Sequence, residues 1–141
     1  MKLHRWLIGV GLALLTACTI WSETQIEPVP PTLFEVACYE LALDCSELDP
    51  PKIIYTALPE LMGALGVFIA DEPYIYINRL KTSVPWEQII LHETVHYVLY
   101  YAGPELTNCQ SEEKARVITA RHFNQEVDPT WRKRYNCPAP L

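Results

Sequence analysis

Two histidines four residues apart, with a glutamate directly after the first, are the residues of this chain best suited to chemistry: His92, Glu93 and His96. On an α-helix, four residues turn the side chain by only about 40° and advance it about 6 Å, so both imidazoles lie on one face. Such a pair can share one metal ion. Glu93 is turned about 100° from His92, which makes it a poor third ligand but lets it reach metal-bound water as a general base.

A helix that would carry these residues is predicted over residues 83–101. Ser83 is a candidate N-cap, Pro85 is tolerated in the first turn, and Gly103-Pro104 ends the helix. Two solvent-exposed histidines would be the alternative interpretation of the same spacing. Apolar residues over most of the helix surface instead indicate burial, with the histidines facing a cleft: Trp86, Ile89, Ile90, Val95, Val98 and Leu99.

A catalytic zinc site needs a third protein ligand, with water or substrate at the fourth position. The extension that would place a third histidine six residues after His96 fails, because Ala102 stands there and Leu99 replaces the glycine of that pattern. This excludes the metzincin arrangement. A second helix is predicted downstream, from Ser111 as its N-cap to about Asn124, with acidic residues in its first turn.

Together these segments resemble the gluzincin-type zinc metallopeptidases, in which a glutamate on the helix after the HExxH helix completes the site. The resemblance covers roughly residues 52–124 and rests on His92-Glu93-Thr94-Val95-His96 and on Glu112-Glu113-Lys114-Ala115, which looks like the family's Glu-x-x-Ala pattern. It implies one Zn²⁺ per chain, bound by His92, His96 and Glu112, with Glu93 as the general base. Relatives often carry an acid four residues after the ligand, where this chain has Arg116.

Glu112 is the third ligand that the resemblance implies, and the adjacent Glu113 would point about 100° away, towards solvent or the first-turn amides. Ala115 follows three residues later, close to the same face, where a small side chain would let the two helices approach. If the ligand lies elsewhere, the next candidates are Glu105, His122 and Asp128.

Runs of β-branched and aromatic residues upstream predict strands at 52–58, 66–69 and 74–77, separated by Pro59 and by turn residues at 70–73. We therefore expect an α+β, minimal zincin-like domain, in which a small antiparallel sheet packs on the HExxH helix and the following glutamate helix. An edge strand beside the cleft would let an extended peptide add main-chain hydrogen bonds. Alternatively, the strands only cover the core.

The N-terminal residues 1–17 are predicted to be a signal peptide, with a basic start and an apolar run too short to span a membrane. Leu15-Thr16-Ala17-Cys18 resembles the lipobox of bacterial lipoproteins, in which the cysteine is acylated and becomes the mature N-terminus. Thr19 is not the aspartate that favours inner-membrane retention in that family, which implies the periplasmic face of the outer membrane. The alternative is an ordinary secretion signal with an incidental Cys18.

Removal of the signal peptide leaves 124 residues, enough for one domain, predicted at 33–141 after a proline-containing tether at 18–32. Without Lys2 and Arg5 the chain has 9 basic and 17 acidic side chains, a formal charge of −8, which argues against a nucleic-acid partner. We expect a monomer whose partners are a protein or peptide substrate, cell-wall peptides among them, and the membrane through the N-terminal lipid.

Four cysteines remain after Cys18 is assigned to lipid, and an even number in an oxidising compartment predicts two disulfides. Of the three connectivities we favour Cys38 with Cys45, a local loop, and Cys109 with Cys137, which ties the tail to the segment before the glutamate helix. The alternative that Cys109 ligates a metal is disfavoured by that compartment.

The function that we expect from these features is zinc-dependent hydrolysis of peptide bonds by a lipid-anchored metallopeptidase of the cell envelope. The alternative is a non-catalytic envelope lipoprotein that uses a zincin-like scaffold for binding or inhibition. Tyr97, Tyr100 and Tyr101 could stabilise an oxyanion, but aromatic clusters on a buried helix usually serve packing. The run 131–135 could contact lipid headgroups, although such a short basic run is usually a solvated face.

Overall fold

Four helices and four strands make up the part of the chain that the computed structural model describes, residues 25–57, 59, 63–78 and 84–139. The class is α+β, as predicted, and β2, β3 and β4 fall within the three predicted strand runs. In chain order the elements are β1 (Ile26–Pro28), α1 (Pro31–Leu41), β2 (Lys52–Tyr55), β3 (Gly66–Phe68), β4 (Tyr74–Ile77), α2 (Trp86–Ala102), α3 (Asn108–His122) and α4 (Trp131–Arg134).

The sheet has the strand order β1-β2-β4-β3 and is mixed, whereas the sequence predicted a wholly antiparallel sheet. β1 pairs antiparallel with β2, and β3 with β4, but the central strands β2 and β4 run parallel. After β2 the chain does not pair with it directly but forms β3 at the opposite edge of the sheet. A short turn then leads into β4, which lies between β3 and β2 and therefore runs parallel to β2. Alternation within a strand predicts its faces but not this order.

Residues at the end of the predicted tether belong to the folded domain. β1 pairs with β2, Val29 is 1% exposed, and its N–H donates to the Pro51 carbonyl at 3.0 Å. The tether predicted at 18–32 is therefore too long, because proline is also tolerated at a strand end and in the first turn of a helix, where α1 begins with Pro31. The signal peptide and residues 18–24 lie outside the described residues.

The central element is α2, which contacts α1 on one side, α3 on another and the sheet through β3 and β4. Its predicted burial is confirmed: Leu91, Val95 and Val98 have no exposed surface, and each such side chain contributes about 1.5–3 kcal/mol. The helix begins at Trp86 after Pro85, and the predicted N-cap Ser83 lies outside the described residues. No helix in the described part of the chain is long and apolar enough to cross a membrane.

The helix that follows, α3, begins four residues earlier than predicted, because its N-cap is Thr107; the prediction of Ser111 as N-cap is therefore wrong. The Thr107 side chain accepts a hydrogen bond from the Gln110 N–H at 3.2 Å, and the Thr107 N–H donates to the Gln110 side chain at 2.9 Å. This capping box satisfies two end groups of the helix at once, which a lone serine could not do. Ser111 is thereby placed inside the helix.

Both predicted disulfides are confirmed, Cys38 with Cys45 and Cys109 with Cys137. The first closes the turn after α1. The second joins the first turn of α3 to the residues after α4, and a loop of its length stabilises a fold by roughly 3–4 kcal/mol. Cys109 is bonded to sulfur, so the alternative in which it ligates a metal does not hold.

Candidate metal centre

Three side chains converge where α2 and α3 face each other: His92 and His96 from α2 and Glu112 from α3. His96 Nε2 lies 3.2 Å from His92 Nε2 and 3.1 Å from Glu112 Oε2, and His92 Nε2 lies 3.5 Å from Glu112 Oε1. These residues form a largely buried group that could bind a metal ion.

The donor atoms of this triad are of types that zinc and other first-row ions accept. Zinc binds imidazole nitrogen and carboxylate oxygen at about 2.0–2.1 Å, and two such ligands at a tetrahedral angle are roughly 3.3 Å apart. His96 Nε2 lies 3.2 Å from His92 Nε2 and 3.1 Å from Glu112 Oε2, both near that value, whereas the 3.5 Å contact of His92 is to the other oxygen, Oε1. Three protein ligands would leave a fourth position open. Other first-row ions accept the same donors, so the site is generic in metal identity.

Close approach of the two helices brings Glu112 to the histidines. Glu112 is 5% exposed, and Ala115, three residues later, has no exposed surface and belongs to the hydrophobic core. The small side chain predicted at this position is therefore buried, and it leaves room for α2. The four-residue spacing of the histidines on a helix provides the rest of the geometry.

The ionisation of Glu112 and that of His96 depend on each other. Burial opposes ionisation of Glu112, but hydrogen bonds with His92 and His96 outweigh it and hold the pKa of this carboxyl well below its usual range. Burial likewise lowers the pKa of His96, but the hydrogen bond with Glu112 and the negative charge of Glu93 outweigh it and raise that pKa above its ordinary value. A metal ion would displace the proton that this arrangement favours on His96.

Glu113 points away from the histidines. Its carboxylate forms an ion pair with Arg132 on α4, and about half of its side chain is exposed. The structure therefore brings Glu112, and not Glu113, to the candidate site. The alternative third ligands are also elsewhere: Asp128 pairs with Arg134, His122 packs against Phe123, and Glu105 lies on the cleft wall outside the triad.

Glu93, the predicted general base, is 7% exposed and is held by strand β3. Its Oε2 accepts a hydrogen bond from the Phe68 N–H at 2.9 Å. The strand passes so closely that a Cβ at Gly66 would lie 2.6 Å from Ile89 Cγ2 and 2.9 Å from Glu93 Cγ. Glycine at position 66 is thus required for β3 to reach the glutamate.

Ser111 and Arg116, on either side of Glu112 along α3, contact the triad directly. Ser111 Oγ lies 2.8 Å from His96 Nδ1, and a proton on Nδ1 would donate to Ser111 and leave Nε2 free for a metal. Arg116 Nη2 lies 2.6 Å from Glu112 Oε1, close enough for a strong ion pair although not aligned as a hydrogen bond. The sequence interpretation missed the first contact because Ser111 was assigned to the N-cap.

A cleft of about 860 Å³ opens over the triad. Edge strand β3 forms one wall, as predicted for a strand beside the cleft, and α3 forms another. A second cavity of about 430 Å³ adjoins it and shares His92, Glu93 and Tyr135 with the first. Tyr135 therefore lies at the candidate site, which the sequence did not indicate, since α4 follows the glutamate helix without a recognisable motif.

Comparisons with known proteins leave the site to be interpreted from its geometry: no protein-family model, curated protein sequence or solved structure matches this chain. The likeness to gluzincins rests on the HETVH and Glu-x-x-Ala residues and stays a prediction. What the structure adds is the convergence of His92, His96 and Glu112, with Glu93 on the same cleft.

Of the tyrosines that the sequence singled out on α2, Tyr97 is buried, whereas Tyr100 and Tyr101 are exposed and Tyr100 lines the cleft. The Tyr97 hydroxyl donates to the Asp49 carbonyl at 2.8 Å, and the Tyr100 hydroxyl donates to Asp71 at 2.6 Å. Tyr97, Tyr100 and Tyr101 surround Phe68 with ring centroids 5.6–6.3 Å away. In the C-terminal run, Trp131 is buried rather than available to lipid headgroups.

Proposed function

We propose that this protein is a zinc-dependent metallopeptidase of the bacterial cell envelope. One observation carries the proposal: the nitrogen atoms of His92 and His96 and the carboxylate of Glu112 converge at zinc-ligand spacing in a cleft that also contains a buried Glu93. Two imidazoles, one carboxylate and a nearby unligated carboxylate are the groups that zinc-assisted amide hydrolysis requires.

The chain's own residues have distinct tasks in this mechanism. A zinc ion bound by the triad would polarise the scissile carbonyl and lower the pKa of a coordinated water from 15.7 towards about 7. Glu93 takes the proton of the attacking water and passes it to the leaving amine. The hydrogen bond from the Phe68 N–H to Oε2 fixes the rotamer of Glu93, so that Oε1 remains available for that proton.

The position of strand β3 is the observation that favours a peptide as the substrate. It is an edge strand of the sheet and lines the cleft, so an extended chain can add main-chain hydrogen bonds beside the triad. Recognition through the main chain accepts many sequences, cell-wall peptides and unfolded proteins included.

Placement in the envelope is supported by the lipobox-like residues that end at Cys18 and by two disulfides, which are typical of oxidising compartments. Acylated Cys18 would anchor the protein at the periplasmic face of the outer membrane.

A non-catalytic binding scaffold is the second candidate function, and one observation favours it. Each carboxylate of the site already has a partner within the protein, Glu93 with the Phe68 N–H and Glu112 with Arg116. Carboxylates that already have partners within the protein suit a site that binds a partner molecule without catalysing a reaction.

Metal removal separates the two functions. Purified protein should contain one zinc ion per chain by elemental analysis and should cleave denatured protein or cell-wall peptides. Chelation should abolish cleavage, and added zinc should restore it. Zinc binding without cleavage of any member of a broad peptide library would favour the scaffold, and a protein without metal affinity would contradict the metallopeptidase.

A further inference from the structure

The carboxylate of Glu112 faces the two histidines with both of its oxygens, but only Oε1 also contacts a guanidinium. Oε2 lies 3.1 Å from His96 Nε2, and Oε1 lies 3.5 Å from His92 Nε2. The guanidinium of Arg116 reaches the second oxygen, with Nη2 2.6 Å from Oε1. A carboxylate can ligate a metal through one or both oxygens, so this contact bears directly on coordination.

Arg116 is itself held in place by α4. Its guanidinium carbon lies 5.5 Å from the ring centroid of Trp131 and 5.3 Å from that of Tyr135, within the range of cation–π attraction. The α4 segment is fastened to α3 by the Cys109–Cys137 disulfide. Only 22% of the Arg116 side chain is exposed, so it is not a loose surface cation.

We propose that Arg116 is a positioning residue that holds back Oε1, so that Glu112 binds the metal through Oε2 alone and one coordination position stays open. A guanidinium is always charged. While it contacts Oε1, it repels a metal cation from that oxygen. Catalytic zinc sites depend on such an open position. The inference rests on the metal site of the proposed function but not on hydrolysis.

Visible absorption of the Co²⁺-loaded protein tests the coordination number without any substrate. Four-coordinate Co²⁺ absorbs visible light several-fold more strongly than five- or six-coordinate Co²⁺. We expect strong absorption for the wild type and a several-fold loss for R116M, in which Oε1 is released to the metal. R116M should bind Co²⁺ at least as tightly as the wild type, because a repelling charge is gone.

Two variants complete the design. R116K keeps a cation near Oε1 and should have the wild-type spectrum. R121M is a matched change at an exposed arginine on the same helix and should not alter the spectrum. If R116M does not fold by circular dichroism, R116Q replaces it. An unchanged spectrum in the folded variant, or weaker Co²⁺ binding with unchanged band shape, would reduce Arg116 to structural support and overturn the inference. A wild type that binds no Co²⁺ would overturn the metal site as well.

Discussion

The two buried acids of the cleft, Glu93 and Glu112, have different surroundings. Glu93 meets a neutral main-chain N–H from β3, whereas Glu112 meets two imidazoles and a guanidinium. A neutral donor fixes a carboxylate in space and leaves its charge available for a proton. Cationic neighbours keep a carboxylate ionised, as a metal ligand must be. Under the proposed function, these surroundings suit Glu112 to the role of ligand and Glu93 to the role of base.

Removal of Glu112 should have the largest effect. We expect Glu112→Ala to abolish tight zinc binding, because two histidines and water are a weak site. Glu113→Ala is the matched control on the adjacent residue, and it should cost within about 0.5 kcal/mol of stability because its ion pair with Arg132 is at the surface. Competition with a chromophoric chelator measures the zinc affinity of both variants. Equal zinc affinity in Glu112→Ala and Glu113→Ala would mean that the third ligand is another residue. Glu112 and Glu93 would then no longer differ in role.

Glu93→Gln should separate chemistry from metal binding. The amide oxygen can still accept from the Phe68 N–H, so the fold and one zinc per chain should be kept, while kcat falls by about 10² or more because the amide cannot take a proton. Glu105→Gln, at another acid on the cleft wall, is the control and should keep its turnover. Wild-type turnover in Glu93→Gln would refute its role as the base.

Gly66→Ala tests whether β3 positions Glu93. The added methyl group would meet Ile89 Cγ2 and Glu93 Cγ inside contact distance, and relief of such overpacking costs about 1–3 kcal/mol. We expect a lower midpoint in urea unfolding together with reduced hydrolysis at unchanged zinc affinity. A variant of normal stability and activity would show that the strand does not constrain the base.

Ser111→Ala should have the smallest effect of these changes, and the property it affects is zinc affinity. Loss of the hydroxyl next to His96 Nδ1 should weaken zinc binding about tenfold, because the imidazole is no longer held in one orientation. Ser111→Thr keeps the hydroxyl and should recover most of the affinity. Identical zinc affinity in all three proteins would mean that Ser111 does not orient His96.

The sequence predicted the parts of the site that depend on short-range spacing. His92 and His96 lie on one face because four residues make about one helical turn, and Glu112 follows from the Glu-x-x-Ala resemblance. The disulfides were also predictable, since Cys38 and Cys45 are neighbours in the chain and the remaining two cysteines must then pair.

Contacts that depend on how elements pack could not be predicted in the same way. The parallel pairing of β2 with β4 and the position of Glu93 against β3 arise from sheet order, which alternation within strands does not encode. The packing of Arg116 on Trp131 and Tyr135 needs α4 to be placed against α3, whereas its ion pair with Glu112 is an i,i+4 contact within α3. By contrast, the capping box was recognisable in the sequence as Thr107 and Gln110, and it would have moved Ser111 into the helix.

The strand β1, at the edge of the sheet opposite β3, would set how far the cleft can lie from a membrane if Cys18 carries lipid. Ile26 lies eight positions after Cys18, and eight residues extend at most about 28 Å. Three strand spacings of about 4.8 Å add roughly 14 Å across the sheet to β3. If Cys18 carries lipid, a substrate has to come within roughly 40 Å of the bilayer surface, so the anchor restricts the protein to a thin layer of the envelope.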